Sequence, residues 1–444
     1  MENLLPEDVL TNIIHRLAPR YLAISRCVCK TWCTIIDAHN LLRVDLLPRS
    51  LCGIFINFNE LSMPEFFFRP SKGPMVSGNF DHLPLGSCIV DHCNGLLLFR
   101  NYVVNPATRQ SAPLPPCPSP NMVVEHFFHR GHLVFDPTLS PHYEVFMIPE
   151  IVRYNMLYSD DKLDPAIEEL EWPPSPCILH VFSSRTKVWE ERSFVREGEA
   201  AGNVREGEAA GDVADMRLDH PYVPDTSVYW RRVLYVYCQN KFVMRISLSN
   251  GKYQVIKPPL NCEGMAYTNL YLGKSVKGVY CAVHDLASYF LIYILDELSG
   301  KMEWVFKDSC RIQPCQIIDG PGPWTLQDIN NQEQGFEYED GNNEAVVEDR
   351  FEWDSDNDNV IETNSRGKYN SGGYINFLGF HPYKEVIFLS DTLRRGLAYH
   401  LNSSKFQDLG NLRPTNYGTE VGIQPFIRES FPYTPWMGWF PEDN

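Results

Sequence analysis

The stretch "RCVCKTWCTII", Arg26 to Ile36, places three cysteines within seven residues. Its reading decides what the N-terminal region is. A zinc site needs four convergent ligands, usually from two separated pairs. Only Asp37 and His39 lie close by, and no second CxxC-type pair of cysteines occurs in the chain. On an α-helix, at about 100° per residue, Cys27 and Cys29 point roughly 160° apart, whereas Cys29 and Cys33 share a face. A redox sensor requires a thiol of lowered pKa, and Arg26 and Lys30 supply nearby charge but no further sign of one. The stretch reads as a helix that happens to carry thiols, with Val28, Trp32, Ile35 and Ile36 as its apolar residues.

A first helix is predicted upstream. Leu5-Pro6-Glu7-Asp8 opens it, because Pro6 suits a first-turn position and the two acids favour the positive end of the helix dipole. Val9, Leu10, Ile13, Ile14 and Leu17 follow at helical spacing, and Pro19 ends the run. Together, Leu5-Pro6, Asp8-Val9-Leu10, Ile13, Arg16-Leu17, Leu22, Arg26, Val28-Cys29-Lys30, Trp32 and Ile35-Ile36 resemble the F-box motif. The run R-x-V-C-K-x-W at Arg26 to Trp32 is its most specific part. The resemblance covers about residues 3 to 43. It implies a three-helix module, placed at residues 1–45, that docks on the Skp adaptor of cullin-RING ubiquitin ligases. Leu5, Pro6, Val9, Leu10, Ile13, Leu17 and Trp32 would form the adaptor-binding surface. Physical chemistry points the same way, since about 40 residues is near the lower limit for an independent core. This segment carries more apolar residues than three short helices can bury, and such a surplus marks a partner interface.

The whole chain has 444 residues and a formal charge of -17. Asp328 to Glu362 contains thirteen acids and one basic residue, Arg350, a net of -12, which leaves -5 for the remainder. That balance argues against nucleic acid as the main partner, because phosphate binding needs a basic surface. The N-terminus shows neither a basic region nor an apolar core of a secretory signal, and the longest apolar runs are too short to span a bilayer. Thirteen cysteines without a signal read as reduced thiols. The expectation is a soluble protein of cytoplasm or nucleus, with no membrane partner.

After Arg43, alternating Val, Ile, Tyr and Phe are punctuated by 33 prolines across the chain, a β-rich pattern. Six stretches read as strand, polar turn and strand. They begin at Tyr102, Leu133, Leu179, Met244, Ile292 and Leu397. Spacings of about 40 to 50 residues are those of propeller blades, and a β-sandwich would not explain six similar hairpins. "DHCNGLLLF" (Asp91 to Phe99) and "VVNPATRQSAPLPP" from Val103 resemble the F-box-associated domain of plant F-box proteins. The expected fold is therefore α plus all-β: a short three-helix F-box, then a β-propeller of about six blades over 46–444. Two insertions are expected, at about 195–220 and 327–370. The first holds the tandem repeat "VREGEAAGN" and "VREGEAAGD" (Val195 to Asp212), the second the acidic stretch, read as a disordered loop. An EF-hand reading of "DSDND" from Asp354 fails, because the sixth position is Asn359 and the twelfth Ser365.

Catalytic signatures are weak. His92 and Cys93 are adjacent on a strand and so point to opposite faces, while Asp91 and Asn94 read as shaping the turn before Gly95. No Walker loop, Rossmann glycine run or GxSxG occurs. No catalytic, metal or cofactor residue is assigned. The reading is a non-enzymatic substrate-recognition subunit of a Skp–cullin–F-box ubiquitin ligase, its propeller holding an unknown protein. The alternatives are an adaptor-binding regulator without a ubiquitination role, and a propeller hydrolase or lectin.

Overall fold

Local chemistry sets the strands: β-branched and aromatic runs separated by turn residues fold into antiparallel ladders. In the computed structural model the described ladders form six blades around one axis, five of four strands and one of five. The structure describes residues 7–15, 25, 28–38, 51–70, 76–118, 127–151, 172–198, 226–238, 242–259, 268–285, 289–297, 302–311, 322–330, 360–361, 375–391, 393–415, 417 and 426–441.

Blade 2 is Ile89–Cys93, Leu96–Phe99, Tyr102–Asn105 and Gln110–Pro113; blade 3 is Phe127–Val134, Glu144–Ile151, Cys177–Ser183 and Val188–Arg196. Blade 4 is Ser227–Trp230, Val233–Tyr237, Val243–Ser247 and Lys252–Ile256. Blade 5 is Thr268–Ser275, Gly278–Asp285, Tyr289–Asp296 and Glu303–Arg311; blade 6 is Ile375–Phe380, Val386–Asp391, Arg395–His400 and Lys405–Asn411. Blade 1 is composite. Its inner strand is Ile427–Tyr433, followed outward by Gly53–Phe58, Glu65–Phe68 and the short Thr325–Leu326. The inner strands of successive blades touch in order, and blade 6 meets blade 1, which meets blade 2, so the ring is closed.

The core is a set of wedges between blades, because alternate residues of a strand face opposite neighbours. Phe55, Phe66 and Phe68 of blade 1 pack against Ile89, Leu97 and Phe99 of blade 2. Ile54, Ile56 and Phe67 face the other way, onto Leu378, Phe388 and Leu409 of blade 6. Equivalent wedges join blades 2, 3 and 4, blades 4 and 5, and blades 5 and 6.

Each of the six expected hairpins is a hairpin. They do not map one to one onto blades, however. Two belong to blade 3 and none to blade 1, whose own antiparallel pair, Gly53–Phe58 with Glu65–Phe68, is not among the six. The agreement in number is a cancellation of two differences.

Both expected insertions begin later than expected. Val195 and Arg196 continue the outer strand of blade 3 and pair in parallel with Lys252 and Tyr253, joining blades 3 and 4 into a continuous eight-stranded sheet. The rest of the tandem repeat, from residue 199, lies outside the described residues. Gln327 to Asn330 pack on blade 1. Gln327 N donates to Phe66 O at 2.9 Å, and the buried Glu65 carboxylate accepts from Ile329 N at 2.5 Å and Asn330 Nδ2 at 2.6 Å. Val360–Ile361 then add a fifth strand to blade 6. The "DSDND" stretch lies outside the described residues.

The Asn-Pro hairpin has a structural task that its sequence does not display. Asn105 is fully buried; its Oδ1 accepts from Ala107 N at 3.1 Å, and its Nδ2 donates to Trp436 O at 3.1 Å and Gly438 O at 2.8 Å. It thereby ties the C-terminal segment under blade 2. Gly95, at φ +95°, sits where a Cβ would lie 2.5 Å from Trp436, so no side chain fits there.

Candidate partner-docking surfaces

Two helices are described at the N-terminus, α1 (Glu7–His15) and α2 (Lys30–Ala38). They pack through Leu10, Ile14, Ile35 and Ile36, with Trp32 half-buried against that cluster. The i, i+4 spacing separates α1 into two apolar stripes. Leu10 and Ile14 face inward, whereas Val9 and Ile13 are 41% and 49% exposed. The expected adaptor residues therefore divide: Val9 and Ile13 form an outward apolar stripe, and Leu10 and Trp32 hold the helix pair together. Leu5, Pro6 and Leu17 lie outside the described residues, as does Cys27. Val28, counted with the second helix from sequence, precedes it and is 62% exposed. Cys29 is exposed and Cys33 half-buried, one turn apart.

The propeller axis carries a second constellation, built on the inner strands. Asp91, fully buried in blade 2, accepts from His92 N at 2.8 Å, from Leu133 N of blade 3 at 2.7 Å, and from Ser227 Oγ of blade 4 at 2.9 Å. Burial pushes its pKa up to about 6, against the pull of Leu133, His92, Ser227 and Arg130. Glu429 of blade 1 pairs with Arg130 of blade 3, which also donates to Val90 O of blade 2 at 3.1 Å. Lys274 of blade 5 reaches Asn94 Oδ1 at 2.6 Å and Tyr229 O at 3.4 Å. Asp91 thus does not shape the Asn94-Gly95 turn, as the sequence suggested; it joins three blades. Nothing local could have shown this, because its partners lie 42 and 136 residues away.

Outside the axis, Glu385 fastens blade 5 to blade 6. Lys277 Nζ lies 3.0 Å and Lys307 Nζ 3.2 Å from Glu385 Oε1, and Tyr280 OH donates to it at 2.9 Å. Burial alone would raise its pKa, but the bonds from Lys277, Tyr280, Lys307 and Asn402 outweigh that and bring it down to about 2. The stabilisation is present above the unfolded carboxyl value and is lost as pH falls from about 4.5 through about 2. Glu385→Gln should cost about 2 kcal/mol in urea unfolding at pH 7, and the deficit should shrink toward pH 3. An equal deficit at both pH values would remove the carboxylate from this account.

His92 and Cys93 are separated as the strand geometry demands. His92 lies edge-on to Phe431, while Cys93 Sγ donates to Phe135 O at 3.3 Å. Burial, aided by Lys274, lowers His92 to about 4, and burial raises Cys93 and Cys177 to about 12 and Cys52 to about 11. These thiols are protonated packing groups, the reverse of activated nucleophiles. Among the described residues, no three His, Cys, Asp or Glu side chains gather in a way that could hold a metal ion.

A comparison with known families falls on the helical region. Residues 3–44 match the F-box domain model. The chain therefore carries an F-box domain at its N-terminus. The chain is similar to "Putative F-box protein At3g16210" of Arabidopsis thaliana, with 23% identity over 293 residues, 62% of this chain. The match spans 65% of that relative's length. Among solved structures, the Dos1 propeller aligns over 80% of this chain and 61% of its own, with 8% identity and a TM-score of 0.31. KlAtg21 in complex with the coiled coil of AgAtg16 aligns over 86% and 99%, with 9% identity and a TM-score of 0.29. The propeller assignment here rests on the closed ring of inner strands, and the F-box helices precede that ring in the chain.

Proposed function

We propose that this F-box protein is a non-catalytic substrate-recognition subunit of a Skp–cullin–F-box ubiquitin ligase, working in cytoplasm or nucleus. The observation that carries the reading is the outward Val9–Ile13 stripe on a helix within the F-box match. An apolar stripe that the described helix pair leaves exposed has no role in the core of that pair and suits a partner groove. The propeller then serves as a rigid holder for a second protein. Tethering makes the meeting of a substrate lysine with a ubiquitin thioester effectively intramolecular. The chemistry resides elsewhere in the assembly.

The test is co-expression of the full chain with a Skp-family adaptor, wild type beside Val9→Asp with Ile13→Asp. Both positions are exposed, so the variant should keep its unfolding transition. Placing two carboxylates in an apolar interface should weaken adaptor binding by about 100-fold or more. A variant that co-purifies as well as wild type would overturn the docking surface. Reconstitution with cullin and conjugating enzyme then separates a ligase subunit from an adaptor-binding regulator: only the former transfers ubiquitin to a captured protein.

A further inference from the structure

All six inner strands finish at the same end of the propeller. Asn94 Nδ2 bonds Phe135 O at 2.6 Å, Lys274 reaches Asn94 and Tyr229, Ser275 Oγ donates to Lys384 O at 2.6 Å, and Tyr433 OH to Gly95 O at 3.2 Å. The turns joining first to second and third to fourth strands lie at this end. Their charge is one-sided. Arg109, Arg185, Lys187, Arg231, Arg232, Lys277 and Lys384 are exposed there, whereas the described acids of these turns, Asp136, Glu297 and Glu385, are half-buried or buried. Glu297 is held by Arg245 at 3.2 Å, and Glu385 by Lys277 and Lys307. A basic face on a chain of charge -17 is not a by-product of composition.

Four of these cations occupy backbone positions that disfavour them. Arg109, Lys187, Arg231 and Arg232 have φ of 56°, 59°, 49° and 65°, in the left-handed region where glycine or asparagine is the relaxed choice. The chain itself provides the control. In blade 4 the corresponding last residue of the outer turn is Gly251, at φ 66°. The same turn in blades 2 and 3 ends in Arg109 and Lys187. Trp230 and Val233 pair across a two-residue turn, for which Asn-Gly is the usual choice, yet it holds Arg231 and Arg232. The fold does not need these side chains, and it carries the strain of keeping them. Arg231 lies over the Trp230 ring at 5.3 Å; a guanidinium stacked on an aromatic face can still grip a carboxylate through its edge.

Large apolar side chains stand among them. Leu139, in the first turn of blade 3, is 53% exposed, and Trp439, in the segment tied under blade 2, is 42% exposed. Arginine and tryptophan together are the composition of a binding hot spot. We propose that this end of the propeller, across blades 2, 3 and 4, binds an acidic protein segment with interspersed large apolar residues. The cations take its carboxylates, and Leu139 and Trp439 take its apolar anchors. A nucleic acid would meet the cations equally well, but its length would carry further phosphates over a strongly acidic molecule. A short peptide feels only the local field, within a Debye length of about 8 Å. The inference deepens the substrate-holding reading and rests on it, but not on adaptor docking, so its failure and that of the docking stripe are separable.

The experiment is fluorescence anisotropy on the full chain with a labelled peptide of about 20 residues alternating Glu or Asp with Leu, Phe and Trp. The deciding variant combines Arg109→Gly, Lys187→Gly, Arg231→Asn and Arg232→Gly. Each change relaxes its turn, so Tm should hold within about 3 °C or rise. Affinity should fall at least about 10-fold at 0.1 M salt, and Trp439→Ala should lower it about 3- to 10-fold. Peptide binding that survives the quadruple change would overturn the proposal, and so would a Tm loss with affinity unchanged. So too would equal affinity for a single-stranded oligonucleotide of the same charge, or binding that appears only after residues 331–359 are deleted.

Discussion

A chain ending at Phe426 is expected to lose its propeller. Ile427–Tyr433 is the inner strand of blade 1, paired along Gly53–Phe58 and in contact with the inner strands of blades 2 and 6. Its removal uncovers the wedge faces of two neighbouring blades and leaves Arg130 without Glu429. Phe431 and Tyr433, both buried, contribute about 2–3 kcal/mol each by burial alone. With the ladder and the ion pair added, the loss matches the roughly 5–15 kcal/mol by which a domain is stable. The measurement is urea unfolding followed by tyrosine and tryptophan fluorescence. The shortened chain should show no cooperative transition. A chain ending at Tyr433, which loses Trp436 and the Asn105 bonds but keeps the strand, should unfold cooperatively at lower urea. A native-like transition in the shorter chain would mean that blades 2 to 6 fold without closure.

Asp91→Ala should be the most damaging single change at the propeller axis. It strands three donors, the N–H groups of His92 and Leu133 and the Ser227 hydroxyl, at about 1–3 kcal/mol for each buried group left unpaired. A total of about 3–6 kcal/mol should appear as a large fall in the urea midpoint. Asp91→Asn keeps one acceptor oxygen and should cost less. The pH dependence has a definite sign. Because burial raises the folded pKa to about 6, the folded chain holds this proton more tightly than the unfolded chain. Its stabilisation is full below the unfolded value near 3.8 and is lost as pH rises through about 6. Glu385 works oppositely, its contribution full above about 4.5, so the two together are greatest between about pH 3.8 and 4.5. Asp91→Asn should flatten the decline between about pH 4 and 6. A slope identical to wild type would place the titrating group elsewhere.

Helices, hairpins and the F-box motif could all be read from the chain because each depends on neighbours in sequence. Val9, Leu10, Ile13 and Ile14 announce an amphipathic helix by spacing. Turn residues between apolar runs announce hairpins, and all six expected ones exist. Spacing could not say that Leu10 faces inward and Val9 outward, since adjacent helix positions differ by about 100° and only the packed second helix selects a side. Nor could it show that blade 1 joins segments near residues 53, 325 and 427, because strand pairing leaves no mark in either partner alone. Asp91 looked like a turn residue for the same reason: its partners are distant in sequence and meet it only after closure. The cations at Arg109, Lys187, Arg231 and Arg232 are scattered through the chain. Ring closure brings their turns to one end, and the sign of φ shows that glycine would have been the relaxed choice. Local chemistry wrote the strands; long-range closure, which buries the faces between blades, placed the groups that can bind.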